Sequence, residues 1–425
     1  MMSSRPASWS LPPNTNRKFL PRLVGFICTV ALVLGGPASP ASLAEKRGAG
    51  SGRMAKPGRF DALGQEIVKL VREKFYDPKA AEAWVATHDH YGAQATTRGD
   101  FDQRTRRALE ELKTSHTGFY TPSDPAYYGL LAIFREAVGV RSVEYDGIGA
   151  DFTPDGFVRA VFAGGPAEQS GLRRGDRVLK AGGKDFQPVL SFRGRAGGKV
   201  ILSVETAEGG PTSEVAVTPR RIDPRVEWKQ AQEMGSKLIQ RDGNAVAYVP
   251  LFSCAGEQYR EALQDSLQDE LAEAQALILD FRNGWGGCNP DFVSLFDQAP
   301  PVLTSFGRDG KERALDSQWR RPLFVLINGG TRSGKEVVSF AVKQHRLGKL
   351  IGKRTAGAVS GGTCFLLSDR SLLFLAVSWI RVDGEELEGR GVDPDVEVED
   401  ALPYAAGADP QLEKAIALAA KAASG

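Results

Sequence analysis

The stretch from Pro322 to Lys343, PLFVLINGGTRSGKEVVSFAVK, decides the fold. Leu323-Phe324-Val325-Leu326-Ile327 is an unbroken apolar run rich in β-formers, which predicts a short strand buried on both faces. Asn328-Gly329-Gly330 breaks it with residues that tolerate unusual dihedrals. From Ser333 onward Val337, Val338, Phe340 and Ala341 recur at helical spacing. A strand, a glycine turn and a helix therefore follow one another, with Ser333 at the helix N-terminus. A hydroxyl there lies near free backbone N–H groups and the positive end of the helix dipole, a setting that suits a nucleophile and its oxyanion. The same residues, Ser333-Gly334-Lys335-Glu336, also read as an S-x-x-E capping box that needs no chemistry.

Bulk composition narrows the function classes. With 42% hydrophobic and 25% charged residues, the 425-residue chain is an ordinary globular one, long enough for two or three domains. Its net charge of +2, without any basic run carrying interleaved aromatics, gives no nucleic-acid face. Arg17, Lys18 and Arg22 precede an apolar run from Leu23 to Leu34, too short to span a bilayer, and Ser42-Leu43-Ala44 offers a cleavage site. Residues 1–44 are thus expected to be a secretory signal peptide, with an uncleaved membrane anchor as the alternative. The mature chain would be periplasmic or extracellular. Cys254, Cys288 and Cys364 remain, which predicts one disulfide and one spare thiol without choosing the pair. With no C-x-x-C pair and only a weak His88/His90 spacing, no metal site or other cofactor is expected. Gly329-Gly330 lacks the layout of a P-loop.

The chain then divides by texture. Residues 45–57 read as a polar linker, and 58–140 as helical, with Leu63, Ile67, Val68, Leu70 and Val71 on one face. Ser115-His116 closes that region within Leu-Lys-Thr-Ser-His-Thr. Taken alone, a histidine after a helix is more often a cap or a hydrogen-bonded structural residue. From 141 to 221 short strands and glycine turns take over. Tyr145-Asp146-Gly147-Ile148-Gly149-Ala150-Asp151-Phe152 and Ala167-Glu168-Gln169-Ser170-Gly171-Leu172-Arg173-Arg174-Gly175-Asp176-Arg177-Val178-Leu179 together resemble a PDZ domain. That resemblance implies that the Gly147, Ile148 and Gly149 loop forms a backbone nest for a peptide's terminal carboxylate. Residues 222–405 alternate strands and helices, among them Val246–Phe252, Glu257–Ala274, Ala276–Arg282 and Leu372–Trp379, and 406–425 close the chain with a helix.

Taken in order, Leu-Asp-Phe-Arg-Asn-Gly-Trp-Gly-Gly at 279–287, Asn-Gly-Gly-Thr-Arg-Ser-Gly-Lys-Glu at 328–336, Ile-Gly-Lys-Arg-Thr-Ala-Gly at 351–357 and Gly-Val-Asp-Pro-Asp at 391–395 form a set. The set resembles the carboxyl-terminal processing (tail-specific) peptidases and the related tricorn core protease. The resemblance implies a multidomain α/β protein: a helical N-terminal region, a PDZ β-domain and a crotonase-like α/β peptidase core. It departs from the processing peptidases at one position. Where they carry a catalytic lysine after the T-x-G turn, this chain has Ala358. Lys335 sits too close to Ser333 along the helix to serve it, and Lys353 precedes the turn.

The tricorn-like branch uses a Ser-His pair and a glutamate, and the resemblance places these at Ser115, His116 and Glu388. Ser333 is then the expected nucleophile and His116 its base, with Ser115 and Glu388 as a relay and Gly286 and Gly334 N–H as oxyanion donors. Beside Glu385 and Glu386, Glu388 also reads as a solvated charge. The implied activity is a serine endopeptidase acting on polypeptides through their C-termini, with no nucleic-acid partner and membrane contact only through the leader. Two alternatives stand beside it: a catalytically inactive PDZ adaptor, and a Ser/Lys enzyme that recruits Lys353.

Overall fold

The computed structural model describes residues 58–296, 303–306, 312–315 and 318–424. The expected leader at 1–44 and linker at 45–57 lie outside the described residues. Among the described residues, no helix is long and apolar enough to cross a membrane.

The N-terminal region opens with helices α1 (Asp61–Lys74), α2 (Pro78–His88) and α3 (Arg98–Glu110). Asp77 and Thr97 cap the second and third of these by accepting main-chain N–H bonds. Leu63, Ile67, Val68 and Val71 of α1 meet Phe101 and Leu109 of α3 in one core. The region is not wholly helical. Strand β1 (Gly118–Tyr120) interrupts it before α4 (Pro125–Ile133) and pairs antiparallel with a strand at the far end of the chain, Leu372–Phe374. A three-residue strand has no periodicity to read, and only that distant partner defines it.

The next unit comprises β2 (Tyr145–Gly147), β3 (Ala150–Phe152), β4 (Val158–Val161), α5 (Pro166–Gln169), β5 (Arg177–Ala181), β6 (Lys184–Asp185), β7 (Val200–Glu205), β8 (Thr212–Val217) and β9 (Arg220–Ile222). Strands β6, β5, β7 and β8 form an antiparallel sheet in that order, while β2 pairs with β9 and β3 with β4. Ile148, Phe152, Leu172, Val178, Phe192 and Leu202 fill its own core. Helix α6 (Pro224–Gly235), capped by Asp223, leads out of it.

The remaining elements are β10 (Lys237–Arg241), β11 (Asn244–Pro250), α7 (Glu257–Gln268), β12 (Ala276–Asp280), β13 (Leu303–Phe306), β14 (Glu312–Leu315), β15 (Leu323–Ile327), α8 (Gly334–Gln344), β16 (Lys349–Gly352), β17 (Gly361–Leu366), β18 (Leu372–Ser378), β19 (Val396–Glu397) and α9 (Pro410–Ala423). The main sheet runs β10-β11-β12-β15-β16-β19, parallel throughout except for the antiparallel hairpin β10–β11. The apolar run 323–327 is the strand expected, every residue of it buried. Its alternation explains why. Val325 and Ile327 face Leu263 of α7 and Val338 and Val342 of α8, whereas Phe324 and Leu326 face Ala415, Ile416 and Ala419 of α9. Burying each such side chain stabilises the fold by about 2 kcal/mol.

Helix α7 ends at Gln268, earlier than its apolar spacing suggests. Leu271 still reaches the core, but from a turn whose N–H bonds back to Ser266 carbonyl at 2.9 Å. That turn lets Gln275 N–H reach Ala245 carbonyl at 2.7 Å and starts β12 in register.

Candidate active site

Strand β15 delivers the chain to a sharp turn. Thr331, fully buried, donates its hydroxyl to Phe281 carbonyl at 3.0 Å and accepts Asn328 N–H at 3.0 Å. Ser333 follows with φ 58° and ψ −131°. An ordinary N-cap residue sits in the β region with negative φ, so this serine is not a routine cap. A non-glycine residue at positive φ stores strain, of order 1–3 kcal/mol, which its surroundings must hold.

What holds it is Glu336, wholly buried. Its carboxylate accepts Ser333 N–H at 3.2 Å, the Thr355 hydroxyl at 2.6 Å, and the N–H groups of Gly357 and Ala358 at 2.7 Å each. Ser333 N–H also reaches Ala358 carbonyl at 2.8 Å. The S-x-x-E spacing is thus half of a capping box and, in addition, a tie between the serine turn and the Thr355–Ala358 turn. Burial pushes the Glu336 carboxyl above its ordinary value against the pull of those donors. Glu336→Ala would leave several buried donors unpaired and is expected to destabilise the protein by about 3 kcal/mol. The check is a lowered urea midpoint at unchanged m-value.

The second glycine turn comes off β12. Asn283, at φ 54°, and Gly284 carry the chain to Gly286, whose carbonyl accepts Cys254 N–H at 3.2 Å. A Cβ added at Gly286 would lie 2.6 Å from Ser333 Cβ, 2.7 Å from Arg332 carbonyl and 2.9 Å from Gly334 N. A Cβ at Gly334 would lie 2.4 Å from Cys288 N and 2.7 Å from its carbonyl oxygen. The two turns are therefore in backbone contact, which only glycine permits. Among the described residues, neither Gly286 N–H nor Gly334 N–H has an acceptor. Cys254 and Cys288 form a disulfide that fastens the end of this loop, and Cys364 is the buried free thiol.

Below the loop lies Lys335, which the sequence reading set aside. Its fully buried Nζ donates to the carbonyls of Leu251 and Asn283 and sits 5.9 Å above the Phe281 ring. Burial brings its pKa down to about 7. It braces the glycine loop from beneath.

His116 arrives from the other end of the chain. Leu112 and Phe119, both in the N-terminal core, pin the segment on either side of it. The imidazole is 6% exposed and packs 5.3 Å from the Phe374 ring of β18. Ser115 Oγ lies 2.8 Å from its Nδ1 and donates to Glu388 Oε2 at 2.8 Å. Glu388 also accepts Ser115 N–H at 2.8 Å, Val359 N–H at 2.7 Å and Ser360 N–H at 2.9 Å. It is therefore no solvated charge. Burial raises its pKa, but these donors outweigh that and hold it below the ordinary carboxylate range. Ser360, which the sequence did not flag, places its hydroxyl 3.3 Å from both His116 Nδ1 and Ser115 Oγ.

Burial, and after it the Arg332 charge, depress the His116 pKa to about 4 against the pull of Glu388. The imidazole is neutral at pH 7 and available as an acceptor. Arg332 Nη2 donates to Ser115 carbonyl at 3.3 Å, joining the serine turn to the histidine segment. Among the described residues, no hydrogen bond runs from Ser333 Oγ to His116. Such bonds commonly tighten only when substrate is bound.

Three other expected residues lie elsewhere. The Gly147–Gly149 loop is buried, and the carbonyls of Ile148 and Gly149 accept Ala167 and Phe162 N–H at 2.7 and 2.9 Å. Glu227 of α6, 3% exposed, lies against Gly149 and pairs with Arg220 at 3.4 Å. Burial raises the Glu227 pKa to about 7, against the pull of Arg220. Lys353 is no candidate base. Its Nζ binds the carboxylates of Glu397 and Glu399, which raise its pKa and keep it protonated. Among the described residues no acidic, His or Cys group could hold a metal.

Residues 245–398 match the sequence profile of peptidase family S41. The chain is 27% identical over 320 residues to a carboxyl-terminal-processing protease of Synechocystis sp., covering 71% of this chain and 72% of that protein. It is 26% identical over 340 residues to a probable CtpA-like serine protease of Staphylococcus aureus, covering 74% of this chain but only 63% of the other. Among solved structures, the tricorn protease aligns with a TM-score of 0.53 at 20% identity, covering 86% of this chain and 37% of that one. The last likeness bears on fold.

Proposed function

Because residues 245–398 form a peptidase family S41 domain, we propose that the whole chain is a serine endopeptidase with Ser333 as nucleophile and His116 as general base. The observation that carries this reading is the strained Ser333 backbone at φ 58°, held between two glycine turns. A turn of this kind lifts a hydroxyl clear of its helix and leaves N–H groups free on either side of it.

In this reading Ser333 Oγ attacks the scissile carbonyl while His116 Nε2 takes its proton. The oxyanion falls between Gly286 N–H and Gly334 N–H. His116 then protonates the leaving amine, and a water repeats the sequence to release the acyl group. Ser115, with its hydroxyl between Nδ1 and Glu388, fixes the tautomer that leaves Nε2 free. Glu388, kept ionised by its donors, favours the imidazolium as it forms. Ser360 adds a second hydroxyl to the Nδ1 side.

Residues 141–221 would be the PDZ unit, and the leader at 1–44 would send the protein to the periplasm or beyond the cell, with or without an anchor. That PDZ unit would bind substrate C-termini or gate the site. The test is a fluorophosphonate probe with casein as substrate. Labelling and hydrolysis by the mature protein, both lost in Ser333→Ala, are expected. An inactive adaptor would show neither in the unaltered protein.

A further inference from the structure

Arg332 immediately precedes the proposed nucleophile and is half-buried. Of its several N–H donors, the structure engages one, on Nη2, with Ser115 carbonyl at 3.3 Å. Among the described residues no carboxylate pairs with it. The arginines nearby are treated differently. Arg282 pairs with Asp280 and Asp409, Arg354 with Asp393, and Arg390 with Glu385. The two acids of the site are already taken up, Glu336 by Ser333, Thr355, Gly357 and Ala358, and Glu388 by Ser115, Val359 and Ser360 on the Nδ1 side of His116. A guanidinium with free donors therefore stands at the site without a counter-charge of its own. Its planar fork is the geometry that binds a carboxylate with two parallel bonds.

Position decides which part of a substrate it meets. The Gly286 loop and the helix N-terminus hold the acyl side of the scissile bond, as the oxyanion forms there. His116 must reach the leaving nitrogen, so the residues after the scissile bond pass over the Ser115–His116 segment. That is the segment to which Arg332 is bonded. We infer that Arg332 is a specificity residue that receives a substrate carboxylate on the leaving-group side, so that polypeptides with an acidic side chain or a free C-terminus just after the cut are preferred. This rests on the peptidase reading above.

The arrangement also links selection to rate. The Arg332 charge is the second cause, after burial, of the weak basicity of His116. A carboxylate placed on Arg332 offsets that field and makes the imidazole a stronger base when the right substrate is bound. Preference should therefore show in kcat as well as in KM.

The test starts from a casein peptide whose scissile bond has been located by mass spectrometry in the unaltered protein. It is remade with Glu or Gln at each of the positions just after that bond, and with a free or an amidated C-terminus. The unaltered protein should favour one carboxylate-bearing form by about 10- to 100-fold in kcat/KM. The Glu/Gln arm assigns the effect to a side chain, and the free/amidated arm to the terminus. Arg332→Met should collapse that ratio to near one, and Arg332→Glu should turn it toward a Lys-bearing peptide. If Arg332 only braces Ser115, every peptide slows alike and the ratio survives, which overturns the assignment. A ratio near one in the unaltered protein overturns it too. The same peptides titrated against Ser333→Ala by fluorescence anisotropy give a reading free of turnover. Loss of the affinity difference on adding Arg332→Met supports the assignment, and its persistence refutes it. Absence of turnover in the unaltered protein would count against the peptidase reading alone.

Discussion

Peptide hydrolysis is expected to fall by about four to six orders of magnitude in Ser333→Ala and in His116→Ala, and by nearly the same factor in the double variant. In the proposed mechanism the two side chains act as one unit, so removing the second should cost little once the first is gone. Comparing kcat for the three proteins checks this, and additive losses would contradict a shared proton transfer. The pH profile gives a second reading. His116 must be neutral to accept the Ser333 proton, and burial, with the Arg332 charge behind it, keeps it neutral down to about pH 4. Activity should thus persist into mild acid and fall as the pH drops through that value. An unperturbed histidine would fail higher, near 6.5. Lys353→Ala, by contrast, breaks only the ion pairs to Glu397 and Glu399 and should leave hydrolysis intact.

Gly286→Ala is expected to lower kcat by about 10²- to 10³-fold with little change in KM. The added methyl has nowhere to go. Ser333 Cβ at 2.6 Å, Arg332 carbonyl at 2.7 Å and Gly334 N at 2.9 Å are backbone or next to it, and cannot swing aside. The loop must retreat instead, carrying Gly286 N–H away from the point where the oxyanion forms. Inhibition by a peptide aldehyde, which mimics that tetrahedral state, should weaken by the same factor as kcat/KM falls. Inhibition by the product peptide should not. A parallel loss of both would mean that the substitution damaged binding rather than the oxyanion site.

The parts of this molecule visible in its sequence are those that local patterning determines. Leu323–Ile327 alternates toward two helical layers and could hardly be anything but a central strand. Glycine at 286 and 334 marks close backbone approach, although which backbones meet is a matter for the folded chain. Ser115 and Glu388 could be named only through a family resemblance, since their hydrogen bond spans 273 residues. Ser360, Arg332 and Lys335 carried no signal. Each gets its role from a partner far away in sequence: His116 for Ser360, Ser115 carbonyl for Arg332, and Leu251 carbonyl for Lys335. Glu336 was read as a cap because the local half of its role is a cap. Its other half lies in a turn formed by later residues. The Gly147–Gly149 loop reads as a nest from its sequence, and only packing shows that Glu227 lies beside Gly149.

Strand β1 finds its partner in β18, at Leu372–Phe374, and the histidine rides just ahead of it. During synthesis, then, His116 waits without its seat until β18 has left the ribosome. A chain interrupted before that point lacks the strand that seats the imidazole and the glutamate that steadies it. Under the proposed mechanism, copies that stop short of β18 should be unable to cleave their neighbours.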